Sequence, residues 1–159
     1  MIDDDAPVKA AADIEIEASP LLVWDVMTAV SRWPNWNPDV KSASIDGPVT
    51  PGKAFRWRVT AGSIKSTLKD VEQPRLLSWT GRMAPLGIEA AHVWRLEARD
   101  GRTLVRTEES WNGRLVRFLS APSRGILLSS IEQSLEHLKR ECERRAAEAP
   151  PERSPQSDD

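Results

Sequence analysis

The chain has 159 residues, 40% of them hydrophobic and 29% charged, a size and balance that suit one globular domain and leave too little chain for two. Its net charge is −2, with basic residues scattered among acidic ones, so the overall electrostatics give no reason to expect nucleic acid or an anionic membrane as partner. The lone cysteine, Cys142, excludes an internal disulfide and a zinc-type spacing, and no apolar run approaches the roughly 20 residues of a membrane-spanning helix.

The N-terminus carries Asp3, Asp4 and Asp5 in place of the basic start and apolar core of a signal peptide, which makes the cytoplasm the default compartment. Residues 1–10 are expected to be an unstructured lead-in. Residues 149–159, with Pro150, Pro151 and Pro155 among Ser, Asp and Glu, are expected to be a disordered tail. The folded domain is then 11–148. Ile14 and Ile16 alternate with Asp13, Glu15 and Glu17, the period of a strand. Ser19-Pro20 supplies an N-cap and a first-turn proline, and Val23, Trp24, Val26, Met27 and Val30 form the apolar stripe of the helix that follows. Trp33-Pro34-Asn35-Trp36-Asn37-Pro38 holds two prolines and two asparagines, which restricts it to a turn or a single helical turn.

From Val40 to Trp111 the pattern is one of successive β-hairpins. Phe55, Trp57 and Val59 alternate with Arg56, Arg58 and Thr60; a turn at Ala61-Gly62-Ser63 leads to a strand with Ile64, Ser66 and Leu68. Gln73-Pro74-Arg75 breaks the chain before Leu77 and Trp79. Met83, Pro85, Leu86 and Gly87 read as a loop between strands, either a mobile rim or a plain connector.

Asp100-Gly101 is a strong two-residue hairpin signal. With those residues as the turn, Leu96 faces Val105, Trp94 faces Thr107, His92 faces Glu109 and Ala90 faces Trp111. All of these share one face, while Glu89, Arg95, Glu97, Arg106 and Glu108 take the other. An apolar face with His92 and Glu109 embedded in it, backed by a charged face, describes a sheet covered on one side. After Gly113 the period becomes helical. Leu115, Val116, Phe118 and Leu119 are too apolar to face water entirely, and Leu127, Ile131, Leu135, Leu138 and Cys142 make a continuous stripe on a long amphipathic helix with Ser123 as its expected N-cap. Ser120 and Ser123 read as caps rather than nucleophiles, since no base is placed beside them.

These elements in this order resemble the SRPBCC/START-like superfamily, which includes START lipid-transfer domains, the birch pollen allergen and polyketide cyclases or aromatases. The resemblance is carried by Ala18-Ser19-Pro20-Leu21-Leu22-Val23-Trp24-Asp25-Val26, by Trp33 to Pro38, by Val71 to Gly81, by Gly101-Arg102-Thr103-Leu104-Val105, by Glu109 to Gly113 and by the closing helix. It spans about Ala12 to Ala146. It implies an α+β helix-grip fold, a curved antiparallel sheet wrapped around a long C-terminal helix, with a cavity between the two.

Within that frame Trp57, Trp79, Trp94 and Trp111 share the inner face, as walls for a planar ligand or as core filler. Trp33 and Trp36 fall where the family places one side of the pocket entrance. Met83, Ala90 and Phe118 complete the candidate lining. His92 and Glu109 are open to three readings: a self-satisfied buried pair, hydrogen bonding to a ligand, or an acid–base unit in which Glu109 holds the tautomer and raises the imidazole pKa. No metal or cofactor is expected, because His137 reads as solvent-facing and no third ligand converges on His92. The expected partner is a small hydrophobic molecule, aromatic, polyketide-like or lipid-like. The alternatives are a polyketide cyclase/dehydratase-type enzyme using His92 and Glu109, and a regulatory module whose pocket helps fold a partner interface. Ligand identity and oligomeric state stay open.

Overall fold

The structure is a computed structural model that describes residues 2–149; the expected tail from Pro150 onward lies outside the described residues. Strand β1 (Val8–Ile16) leads through Ser19 into helix α1 (Pro20–Thr28), a 3-10 turn at Val30–Arg32 and the four-residue helix α2 (Trp33–Trp36). Six strands follow: β2 (Ser42–Ile45), β3 (Ala54–Val59), β4 (Gly62–Glu72), β5 (Leu76–Met83), β6 (Ile88–Arg99) and β7 (Arg102–Asn112). Helices α3 (Arg114–Phe118) and α4 (Ser120–Glu148) close the chain.

The seven strands form one antiparallel sheet in the order β1-β7-β6-β5-β4-β3-β2. A meander runs from β2 to β7, and β1 returns to pair beyond β7. The sheet curves against α4, which is the helix-grip arrangement. The Asp100-Gly101 turn has φ of 48° and 81°, the positive values that a tight two-residue hairpin needs, and it sets every expected pair of β6 with β7, His92 with Glu109 included. The Ser19 hydroxyl accepts from the Leu22 N–H at 3.3 Å, capping α1.

Three local expectations change. β1 begins at Val8, inside the expected lead-in, because residues 8–10 pair with Trp111, Ser110 and Glu109; alanines at 10–12 hide this alternation in the sequence. The β3–β4 turn is Thr60-Ala61, since Val59 pairs with Gly62. α4 starts at Ser120 with no side-chain cap, so Ser123 lies in its first turn and neither serine caps it. Pro122 fits there because first-turn amides lack intrahelical partners.

The core is asymmetric along α4. Leu135, Leu138 and Cys142 belong to the main apolar cluster with Val23, Met27, Leu77 and Leu96. Lys139 donates to the Glu15 carbonyl at 2.7 Å, and Glu143 accepts from the Glu17 N–H at 3.0 Å. The C-terminal half of α4 is thus sewn to the end of β1. Its N-terminal half contributes Leu127 and Ile131 to a smaller cluster with Val8 and Val116, and the sheet beneath it is left partly uncovered.

Candidate functional site

Cross-strand rows on the inner face explain the uncovered space. One row runs Leu77, Trp94, Thr107, Ala12, and the next Leu68, Trp79, His92, Glu109, Ala10. A third runs Phe55, Ser66, Gly81, Ala90, Trp111. Large side chains fill the first two rows, while Ser66, Gly81 and Ala90 are small. A cavity of about 500 Å³ opens above them, between the sheet and the N-terminal half of α4. A depression of about 590 Å³ on the outer face, lined by Lys65, Thr80, Arg82 and Glu89, lacks such apolar walls.

Trp57, Trp79 and Trp111 line the inner cavity, with Met83, Ala90, His92 and Glu109. Trp33, Trp36 and Trp94 surround an adjoining space of about 60 Å³ that shares Trp57, Trp79 and His92 with the cavity. Trp33 is largely core: its ring meets Phe55 and Trp57 edge-on at 5.7 and 5.8 Å, and its indole N–H donates to the Met27 carbonyl at 2.9 Å. The indole nitrogens of Trp36 and Trp94 are buried without a partner among the described residues. Phe118 does not line the cavity. It is 88% exposed, because α3 turns Val116 inward and leaves Phe118 outside, while Leu115 and Leu119 reach the cavity edge.

His92 is buried between Trp79 and Trp94, at ring separations of 4.7 and 5.1 Å. Its Nδ1 lies 3.2 Å from Glu109 Oε2, and its Nε2 lies 2.7 Å from Thr107 Oγ1. An ionised carboxylate can only accept, so Nδ1 carries the proton and donates to Glu109, and Nε2 accepts from the Thr107 hydroxyl. The other Glu109 oxygen accepts from the Trp111 indole N–H at 2.7 Å. Burial pushes the imidazole below its ordinary pKa, and the Glu109 charge opposes this without reversing it. The expected upward shift is therefore corrected: desolvation outweighs the carboxylate. His137 is also corrected. It is half-buried, with Nε2 3.9 Å from Asp39 Oδ2, so it faces the loop after α2 rather than solvent. Among the described residues no three His, Cys, Asp or Glu side chains gather as a metal site, and no helix is long and apolar enough to cross a membrane.

Sequence reasoning missed the helix side of the lining. Ser123, Ile126, Ser130 and Ser134 face the cavity from α4, at spacings of three, four and four beside the buried stripe. That second stripe, three serines and an isoleucine, was the available signal. Thr107 was missed as a partner because it sits diagonally, two residues from Glu109 on the same face of β7.

The family described as polyketide cyclase / dehydrase and lipid transport matches residues 7–143. No curated protein matches the sequence significantly. Among solved structures, a hypothetical protein from Helicobacter pylori superposes with a TM-score of 0.76 at 14% identity, covering 87% of this chain and 90% of that one. The Zhui aromatase/cyclase from a Streptomyces species superposes with a TM-score of 0.71 at 19% identity, covering 87% and 94%. The di-domain aromatase/cyclase StfQ of the steffimycin biosynthetic pathway does so at 0.66 and 14% identity, covering 87% of this chain and 46% of that one. At these identities the likeness is one of fold.

Proposed function

Since the chain belongs to the polyketide cyclase / dehydrase and lipid transport family over residues 7–143, we propose that it binds a small hydrophobic molecule, aromatic, polyketide-like or lipid-like, between the sheet and α4. The observation that carries this reading is the cavity of about 500 Å³ walled by Trp57, Trp79 and Trp111, a size and lining typical of small-molecule sites. The unpartnered Trp36 and Trp94 donors beside it favour a ligand with an acceptor oxygen, because a buried donor left unsatisfied is costly. An apolar fluorescent probe such as anilinonaphthalene sulfonate should bind the folded protein at one site and quench its Trp emission. Absence of saturable binding to the folded protein would remove the reading.

A cyclase or dehydratase reading draws on one observation, the Glu109 carboxylate on the cavity wall backed by His92 and Trp111. Against it, both His92 nitrogens are already engaged inside the protein, so no imidazole lone pair is free to meet a substrate. Glu109→Gln separates the two, because it removes the carboxylate and keeps the shape of the wall. Binding alone should change by no more than the worth of about one hydrogen bond, 0.5–1.5 kcal/mol, whereas turnover of a cognate polyketide by that carboxylate would fall about 10²–10⁴-fold.

A further inference from the structure

The cavity mouth has an unusual composition. Leu115, Leu119 and Ile126 line the cavity and are still 46%, 48% and 62% exposed, which places them at its rim. Leu86 joins them from the β5–β6 loop, and Phe118 stands outside on α3. Large apolar side chains grouped like this on a monomer mark a contact surface. The same segment, residues 113–131, holds Arg114, Arg117 and Arg124 and no acidic residue, although the chain as a whole carries −2. All three arginines are exposed, and none is ion-paired among the described residues. Of the acids nearby, Asp39 lies on the α2 side and faces His137, and Asp3 is held by Ser110 and Asn112 at the outer face of the sheet.

We infer that this rim docks the mouth of the cavity on an anionic lipid surface, with Phe118 inserted among the acyl chains and the three arginines on the phosphates. A bilayer answers both halves of the patch at once, hydrocarbon for the exposed apolar side chains and negative charge for the guanidinium groups. A second copy of the chain answers only one. Two-fold pairing sets a patch against itself, and here it would gather the arginines of both copies in one interface to which this segment brings no acidic residue. An acidic protein would satisfy the arginines but has no evident place for Phe118. Neutral overall electrostatics do not argue against the surface, because attraction to lipid acts within about a Debye length and is set by the local charge. The inference does not depend on what occupies the cavity.

The test is co-sedimentation of the full chain with phosphatidylcholine vesicles, with and without phosphatidylglycerol. Binding should require the anionic lipid and weaken as salt is raised. Phe118→Ser should reduce partitioning about tenfold or more, and the combined Arg114→Gln, Arg117→Gln and Arg124→Gln variant about 100-fold. Probe binding in the cavity should be unchanged in Phe118→Ser, which separates this surface from the cavity reading. Failure of the wild-type protein to bind anionic vesicles, or binding indifferent to Phe118→Ser, overturns the inference. So does a dimer in sedimentation velocity that Phe118→Ser makes monomeric while vesicles go unbound, because the rim would then be a self-association face. For the arginine variant, circular dichroism checks folding, and the salt dependence of the wild-type protein reads the same electrostatics without any substitution.

Discussion

His92 shows how register and chemistry part company. Its position opposite Glu109 follows from a two-residue turn eight residues away, and that was legible because pairing propagates rigidly along a hairpin. The direction of its pKa shift was not legible, because it depends on two tryptophan rings and a threonine that together bury the imidazole. The sign has a measurable consequence. A histidine whose folded pKa is depressed leaves stability fully present above the unfolded value of about 6.5, and stability is lost as pH falls from there towards the folded value. Over that window the slope is bounded by about 1.4 kcal/mol per pH unit, the limit for one proton, and His92→Gln should flatten it in urea unfolding curves taken at successive pH values. Had Glu109 prevailed, acidification would have added stability instead. Cys142 is the second residue whose surroundings decide its chemistry. Burial pushes its thiol up to about 12, so iodoacetamide at pH 8 should label it only when the chain is unfolded. Rapid labelling of the native protein would mean that the end of α4 opens locally.

At the scale of elements, the long helix was readable because its buried stripe is made of unambiguous residues at regular spacing. Leu135 is 2% exposed within the main cluster. Leu135→Ala should cost about 2–5 kcal/mol, measured by denaturant unfolding; a loss below about 0.5 kcal/mol would mean that the stripe is not the one holding the helix. Where α4 begins was less readable. Ser123 has the chemistry of a cap, but Leu119 occupies the capping position without a side-chain hydrogen bond, so a residue-type rule pointed four residues too late. β1 was truncated for the opposite reason: Ala10, Ala11 and Ala12 in its middle carry no hydrophobic contrast and cut Val8 and Lys9 off from the legible half, and only pairing with β7 reveals the whole strand.

For the whole molecule, the sequence made the fold legible but not the division of tryptophans between core and cavity. That division follows from which rows of the sheet hold small residues, and rows become visible only when all six strand pairings are known. Gly81 is the tightest of the small positions. A Cβ there would sit 3.1 Å from Ser66 Oγ, the hydroxyl that accepts from the Trp57 indole at 3.0 Å, so Gly81→Ala should disturb that cavity wall. Ala90, beside it, borders open space. Ala90→Phe should weaken binding of the apolar probe, read by fluorescence titration, while the unfolding midpoint stays near that of the parent. Unchanged probe affinity in a folded Ala90→Phe protein would place the binding elsewhere.

The two walls of the mouth meet at a pair of glycines. Gly113, with φ of 141°, stands where α3 begins, and a Cβ on it would run into the carbonyl oxygen of Gly87, the residue that ends the 3-10 turn Ala84–Leu86. Main chain rests on main chain there, with no side chain between as a spacer. The aperture at that corner is consequently a constant of the backbone. Breeding the protein toward bulkier cargo by exchanging side chains can deepen or reshape the chamber, but that corner of the doorway keeps its width unless one of these strands is lengthened. Loop insertion between positions 83 and 88, rather than point substitution, is the route by which this scaffold would admit wider molecules.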